Sequence, residues 1–393
     1  MKILYLAAGI PVPGSLGGST HAYEVARGLA LRGHQVDLIA ASHEGWGGLA
    51  SLARPVSSRL DGFGLHHVNL PKALSLLAAR PIIGLARALR PDVIIERYYN
   101  FAGLGLIAAR RLGIPAMLEV NALIVDPPAV PKRRLDDALG GPMRRWAEWQ
   151  CRAADVIVTP LHTTVPASIE RNKIVELPWG ADVDRFAAVA ATRLDPRTAL
   201  PDPPNVVFMG SFRAWHGVTD FVRAALLLCA QGRQARFTLI GDGPERAAAE
   251  ALVTASPYAA RFQFTGAVPY DRIPSLLAQA TLGVAPFNPA AHPALQAAGF
   301  FWSPLKIYEY MAAGLPVVTT AISPLDQVIR QGQEGTLFAE GDLAGLVGAI
   351  AALLADPLAA RRMGAAARER VVAHYSWQHH CAELERLLLA LRR

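Results

Sequence analysis

Residues 303–320, Ser303-Pro-Leu-Lys-Ile-Tyr-Glu-Tyr-Met-Ala-Ala-Gly-Leu-Pro-Val-Val-Thr-Thr320, hold the pattern around which the chain is organised. Ser303 suits a helix N-cap, Pro304 the first helical position, and Gly314 the residue just past the end. Pro316 to Thr320 reads as a short buried strand, so one helix feeds one strand of a parallel sheet. Lys306 is out of place in the first turn, where free N–H groups and the helix dipole favour an anion. It fits there if an anionic ligand such as a phosphate docks between it and the helix N-terminus at Ser303, Pro304 and Leu305. Glu309, three residues on and close to the same face, is then placed to take two hydroxyls of a ribose. A solvated i,i+3 Lys–Glu pair is the alternative, and the helix alone leaves both open.

At 393 residues the chain is long enough for two domains, each with its own core. Hydrophobic residues make up 52% and charged residues 18%, a well-packed globular composition. The longest apolar run, Leu343 to Ala355, is too short for a spanning helix. The opening MKILYLAAG fits a first strand better than a signal peptide. Cys151, Cys229 and Cys381 form neither a metal spacing nor a disulfide framework, which points to a reducing cytoplasm. The adjacent pairs His66-His67 and His379-His380 cannot share a helix face as ligands, so no metal is expected. A formal charge of +7 calls for an anionic partner: a nucleotide, a phosphorylated substrate or a membrane surface.

Residues 3–8 read as a strand, Gly9 to Gly18 as a glycine loop, and the stretch from Ser19 or Thr20 to Gly33 as a helix, followed by a strand from His34. This βαβ opening lets backbone approach a ligand at a helix N-terminus. Residues 44–75 show no order. Val93–Glu96 is a strand. Gly103-Leu-Gly105-Leu-Ile-Ala108 fits a G-x-G-x-x-A pattern but falls too far after its strand, and reads as helix packing. The strand 115–121 ends in Glu119 and Asn121, polar groups at the end that lines a ligand crevice in an open parallel sheet. Residues 131–149 are basic with Trp146 and Trp149, which suits a membrane surface or lipid acceptor, or a solvated helix with buried tryptophans. Residues 187–204 read as a linker. A second series of strands then follows at 205–210, 237–241, 262–265, 281–286, 316–320 and 335–338.

The opening stretch is similar to the signature of the retaining glycosyltransferases of family 4, in which a helix ending E-A-M-A-x-G-x-P-V-V carries the second glutamate of an E-x7-E pair. Glu309 to Val318 matches the second half, whereas Phe301 stands where the first glutamate would be. Gly17-Gly18-x-x-His21 with Gly33-His34-x-Val36 resembles the N-terminal signature, whose paired glycines face the donor phosphates. Leu177 to Phe186 resembles the P-x-G-x-D…F hinge, with Trp179 in place of asparagine. Gly210 to Gly217 resembles the G-R-x-x-x-x-K-G loop that grips the diphosphate, with Ser211 replacing the arginine and His216 the lysine. Arg213 is then the substitute charge, and His216 a source of a hydrogen bond or partial charge. Leu239 to Pro244 and Phe264 to Val268 resemble structural segments of the same domain.

The resemblance implies an α/β GT-B architecture, two Rossmann-like parallel-sheet domains facing each other across a cleft. The boundaries expected are an acceptor-side domain over 1–186, the linker 187–204, a nucleotide-sugar domain over 205–375, and a helix over 376–393 that crosses back. It also implies sugar transfer from a nucleotide-sugar to a glycan or lipid-linked acceptor hydroxyl with retention. Charge builds on the departing diphosphate, so Lys306, Arg213 and His216 are the catalytic candidates. Gly17, Gly18, Gly210, Ser303, Pro304, Leu305 and Glu309 are the donor-binding set. His21, Glu119 and Asn121 are expected on the acceptor side or cleft. No cofactor, metal or nucleic acid is implied, and the expected place is the cytoplasm, peripheral on the inner face of the membrane. An epimerase, a sugar phosphorylase and a non-catalytic nucleotide-sugar binder remain as rivals.

Overall fold

The computed structural model describes residues 1–14, 17–42, 56–69, 72–128, 130–199 and 201–392. The chain forms two compact units: Met1–Trp179 with Phe301–Ser303 and Trp377–Arg393, and Gly180–Phe300 with Pro304–Ser376.

In the first unit the described strands are β1 (Lys2–Pro11), β2 (Gln35–Ala41), β3 (Val56–Leu60), β4 (Phe63–His67), β5 (Val93–Arg97), β6 (Ala116–Glu119), β7 (Val156–Thr159) and β8 (Ile174–Glu176). They lie in the order β3-β4-β2-β1-β5-β6-β7-β8, parallel throughout except for the β3–β4 hairpin. Much of the stretch 44–75 lies outside the described residues. Its described part includes this hairpin, turned at Asp61 and Gly62 with φ of 42° and 93°. Asp-Gly is the dipeptide that such a turn selects, because both of its central residues need positive φ. Strand β1 is covered on both faces, with Leu4 and Leu6 in one core cluster and Ile3 and Tyr5 in the other. Such double coverage explains its unbroken apolar run.

The C-terminal helix Trp377–Leu391 belongs to this first unit. Its Leu384 and Leu388 join the cluster of Val25 and Leu29 from the helix Gly17–Leu31. Burying each leucine stabilises by about 1.5–3 kcal/mol. Close approach of the two helices depends on Gly28, where a methyl would sit 2.4 Å from Cys381 Sγ.

The second unit holds β9 (Asn205–Met209), β10 (Arg236–Ile240), β11 (Phe262–Gly266), β12 (Leu282–Ala285), β13 (Val317–Thr320) and β14 (Gly335–Phe338). All neighbours are parallel in the order β11-β10-β9-β12-β13-β14. Counted within the unit this is 3-2-1-4-5-6, the doubly wound order whose crevice opens between its first and fourth strands, here β9 and β12.

Two expectations are corrected here. Residues 187–204 are not a bare linker: Ala187–Leu194 is a helix of the second unit. Its buried Arg193 donates to the carbonyls of Leu277 and Ala278 and to that of Ala280, the unsatisfied end of the helix Ile273–Ala278. Nor does Ser303 cap the helix after it. The helix runs Leu305–Ala312 with Pro304 at the N-cap position, and Ser303 Oγ accepts from the Trp179 N–H at 2.9 Å. The far end matches the expectation. Gly314 has φ 71°, its N–H reaches Met311 O and that of Leu315 reaches Tyr310 O, a Schellman closure.

Among the described residues no single helix is long and apolar enough to cross a membrane. The apolar helix Leu343–Ala355 instead packs Leu346, Ile350 and Leu353 onto the core of the second unit.

Gly28→Ala tests the helix contact. Alanine favours an exposed helix by about 1 kcal/mol over glycine, but overpacking of this kind costs roughly 1–3 kcal/mol, so a lower melting temperature is expected. Cys381→Ala removes the obstructing sulfur, and the double variant should regain most of the loss in a thermal melt. Equal melting temperatures for Gly28→Ala and the parent would contradict the contact.

Candidate functional site

The second unit builds its site at the carboxyl ends of β9 and β12. Tyr310 spans them: its hydroxyl accepts from Met209 N–H at 2.6 Å and donates to Val284 O at 3.4 Å. Gly283 leaves room for this ring, since a methyl there would meet it at 2.4 Å. Tyr310 thereby fixes the helix over the switch point and sets Lys306, one turn earlier, above it. Lys306 Nζ lies 4.4 Å from the Phe208 ring centroid and 5.0 Å from that of Phe287. A methyl on Gly210 would stand 2.9 Å from Nζ, so only glycine fits where β9 ends.

Lys306 is 8% exposed, and its Nζ has no hydrogen-bond partner among the described residues. Burial pulls its pKa down to about 7, against the opposing pull of Glu309. The solvated Lys–Glu pair is therefore not what forms. Glu309 is half-buried and bonds to the Tyr270 hydroxyl; burial pushes its carboxyl up to about 7 despite Tyr270, Arg185 and Lys306. Arg185 in turn lies over the Tyr270 ring at 4.7 Å.

His216 is placed beside Lys306 but not as a cation. Its Nδ1 is 2.6 Å from the Ser211 carbonyl oxygen, which can only accept, so Nδ1 carries the proton and Nε2 a lone pair. Burial, with Lys306 and Arg213 nearby, lowers its pKa to about 3. The expected partial charge on this histidine is thus absent at neutral pH. Arg213 is exposed at the rim, its guanidinium 5.2 Å from the Trp215 ring centroid.

The first unit gathers a different set. Arg97, at the end of β5, donates through Nη1 to His21 Nδ1 at 2.6 Å and to Glu119 Oε2 at 3.2 Å. Glu119 Oε2 also accepts from the Tyr5 hydroxyl at 2.7 Å, and Trp179 packs its ring 4.3 Å from that of His21. Asn121 Oδ1 accepts from Trp179 Nε1 at 2.7 Å. His21 and Glu119, expected to line an open crevice, are 0% and 2% exposed. They are instead the supports of Arg97. Sequence reasoning missed this arginine, although the rule that singled out Glu119 and Asn121, a polar residue at the carboxyl end of a parallel strand, applies to it equally.

His21, Glu119 and His380 also bring one ring nitrogen or carboxylate oxygen each within 4.8 Å of one another, from sequence positions too far apart for any spacing motif. Their proton states decide what they suit. Arg97 can only donate, so His21 Nδ1 accepts and Nε2 bears the hydrogen of the neutral ring. His380 Nδ1 donates to Pro178 O at 2.8 Å, leaving Nε2 as an acceptor. One N–H facing two acceptors suits a water or hydroxyl better than a cation, which needs a lone pair from each ligand.

Internal contacts account for most of two further stretches. In the G-x-G-x-x-A segment, Gly103 and Gly105 N–H donate to the Glu96 carboxylate at 3.0 and 2.5 Å, so an internal anion already fills that helix N-terminus. In the basic stretch, Lys132 pairs with Asp126, Arg133 with Asp137, and Arg144 with Asp136. Trp146 donates to Ala102 O and stacks on Trp149, itself packed against the core.

The model for Glycosyltransferase Family 4 matches residues 16–185, and that for Glycosyl transferases group 1 matches 203–356. A 2-deoxystreptamine glucosyltransferase of Streptomyces kanamyceticus is 28% identical over 71% of this chain and 71% of its own. Glycogen synthase of Mycobacterium tuberculosis is 24% identical over 100% of this chain and 95% of its own. Among solved structures, sucrose-phosphate synthase from Thermosynechococcus elongatus superposes with a TM-score of 0.71 at 19% identity, covering 99% of this chain and 98% of its own. Anabaena HepE, in complex with UDP-glucose, superposes with a TM-score of 0.70 at 16% identity, covering 99% and 100%. Two doubly wound units with these neighbours define a GT-B fold. The chain belongs to the group 1, family 4 glycosyltransferases, and is an enzyme of that class.

The pKa of Lys306 makes a prediction about stability. An unfolded lysine titrates near 10.4, so between pH 7 and about 10 the unfolded chain holds a proton that the folded chain lacks. Stability from this residue therefore rises with pH across that window, and its penalty is fully present below pH 7. Lys306→Met should melt higher than the parent at pH 7, and the gap should shrink by pH 10. A gap independent of pH would show that the amine is not desolvated.

Proposed function

We propose that the protein transfers a sugar with retention from a nucleotide-sugar, docked at the β9–β12 switch point, to an acceptor hydroxyl. The observation that carries this reading is Lys306: a buried amine with no hydrogen-bond partner among the described residues, held over the crevice beside Gly210. An anion entering that crevice would satisfy it, and a diphosphate leaving group gains charge as the glycosidic bond breaks. Structures of neighbours holding UDP, and UDP-glucose, support a nucleotide-sugar as that ligand. In this reading the Leu305 helix N-terminus and the Gly210 loop hold the phosphates, Arg213 approaches from the rim, and Glu309 takes the ribose. Front-face attack, with the leaving phosphate accepting the acceptor's proton, needs neither a protein nucleophile nor a metal. Buried, unpaired Cys151, Cys229 and Cys381 are in keeping with a cytoplasmic enzyme.

Lys306→Met should lower kcat/KM ten- to hundredfold, the worth of one charge-assisted hydrogen bond of about 1.5–3 kcal/mol. Glu309→Gln should weaken donor binding. The parent rate should survive EDTA. Release of nucleoside diphosphate from a nucleotide-sugar panel, with and without acceptor, reads all of these. Unchanged kinetics in Lys306→Met, or EDTA inhibition reversed by Mn²⁺, would refute the corresponding part. Binding without turnover of any donor would leave a non-catalytic binder.

We also propose a lipid-linked acceptor met at an anionic surface, on narrower grounds than the composition of 131–149 offers. With the tryptophans turned inward, what faces solvent is Leu135 and Leu139, 58% and 63% exposed, beside Arg134 and Arg145, which make no ion pair among the described residues. Anionic vesicles should sediment the protein at low salt, less so at high salt, and less again for the Leu135→Glu, Leu139→Glu double variant. Equal sedimentation with neutral vesicles would end this part.

A further inference from the structure

We infer that the helices Ala79–Leu89 and Leu104–Leu112, with the turn Lys72–Ala78 before them, form the surface by which the first unit docks on an anionic bilayer. The inference rests on the reading of an anionic lipid surface and assigns it an element that the basic stretch 131–149 does not contain.

Residues 62–118 carry seven Lys and Arg but only two acids, Asp92 and Glu96. Both acids are engaged elsewhere. Asp92 accepts from the Lys2 N–H at 2.7 Å and faces Arg392, and Glu96 is the internal anion of the Leu104 helix. Arg80, Arg87, Arg90, Arg110 and Arg111 are exposed, and their guanidinium groups make no ion pair among the described residues. Elsewhere on the unit Arg32, Arg133, Arg144, Arg152 and Arg171 each face a carboxylate. Unpaired charge is thus concentrated on one layer, since both helices bury their apolar faces, Ile82 and Ala86 in one, Leu106 and Ala109 in the other, in a single core cluster. Each crosses between parallel strands, β4 to β5 and β5 to β6. They therefore run the same way and set Arg87, Arg90, Arg110 and Arg111 at one end of the layer. The helix dipole favours cations there. It does not favour Arg80, which stands in a first turn that has no side-chain cap and no acid. An anion met from outside suits all five.

The turn supplies the apolar part. Leu74, Leu76 and Leu77 are 38%, 38% and 57% exposed, whereas Ser75 is buried and donates to the Phe101 carbonyl at 2.6 Å. That bond, with the buried Ala78, pins the turn near the entry to the Leu104 helix and leaves the three leucines outside. Exposed leucines gain nothing from a soluble polyanion. Beside arginines they suit the boundary of a bilayer, where apolar groups enter the acyl region while guanidinium groups meet lipid phosphates.

The full chain is sedimented with vesicles of phosphatidylcholine alone and with added phosphatidylglycerol. Arg80→Gln with Arg87→Gln should lower partition onto the anionic vesicles roughly twenty- to thirtyfold, about fivefold per charge. Leu76→Ser with Leu77→Ser should also lower it, with every arginine kept. Glutamine is a good helix former, and neither arginine has an ion-pair partner to lose, so the arginine variant should melt as the parent does. Amide exchange should slow over residues 74–90 on anionic vesicles only.

Partition like the parent's in both double variants, or exchange unchanged over 74–90, overturns this surface. Loss in the arginine variant alone, with a single-stranded oligonucleotide displacing the vesicles, makes it a site for a soluble polyanion and overturns the bilayer. The broader lipid reading fails separately. It stands if only Leu135→Glu with Leu139→Glu loses binding, and it falls together with this surface if the parent sediments equally with neutral vesicles.

Discussion

The second unit is arranged to hold one ammonium group where it does not belong. A lysine amine among phenylalanine rings, with no hydrogen-bond partner among the described residues, is a poor choice for stability. The fold retains it because other contacts leave the helix no other position. Tyr310 is wedged over Gly283 and bonded into the ends of both switch-point strands, and the Schellman closure at Gly314 locks the opposite end. Such local conflict, stabilised from outside, is the pattern expected at functional sites.

The first unit treats its buried charge in the opposite way. Arg97 Nη1, Glu119 Oε2, His21 Nδ1 and the Tyr5 hydroxyl bond to one another and hold the guanidinium in place, while His21 Nε2 and Glu119 Oε1 have no hydrogen-bond partner among the described residues. The Glu119 carboxyl, raised by burial but opposed first by Arg97, shows the balance of the two terms. Removing the arginine would take away the largest opposing influence and leave the bonds from Tyr5 and Asn121 against desolvation.

Strong periodic segments were legible from the sequence: both series of strands, the Leu305 helix and its glycine stop. What stayed hidden depends on tertiary partners or proton positions. Ser303 looked like a cap because its type and spacing are right, but the Trp179 N–H claims its hydroxyl. Residues 187–194 looked like linker because alanine-rich composition is silent about the carbonyls that Arg193 serves. His216 looked like a spare cation because the Ser211 carbonyl that fixes its tautomer is a backbone group, invisible in a motif. The Asp61-Gly62 hairpin was the exception, a legible signal passed over inside a stretch that looked disordered.

The departures in the Gly210 loop bear on how the donor would be held. With serine at 211 and a neutral histidine at 216, the loop contributes no full charge deep in the crevice, and Arg213 reaches it only from the rim. Positive charge at the phosphates then falls mainly to Lys306, whose own proton is marginal at neutral pH. An arriving diphosphate would stabilise that proton, since an opposite charge within a few ångströms raises the pKa of an amine. Binding and protonation are therefore linked: the anion creates the cation that holds it. A site built this way is weakly charged while empty and most strongly charged as the leaving group develops its full charge. That is the difference between ground and transition state from which catalysis derives.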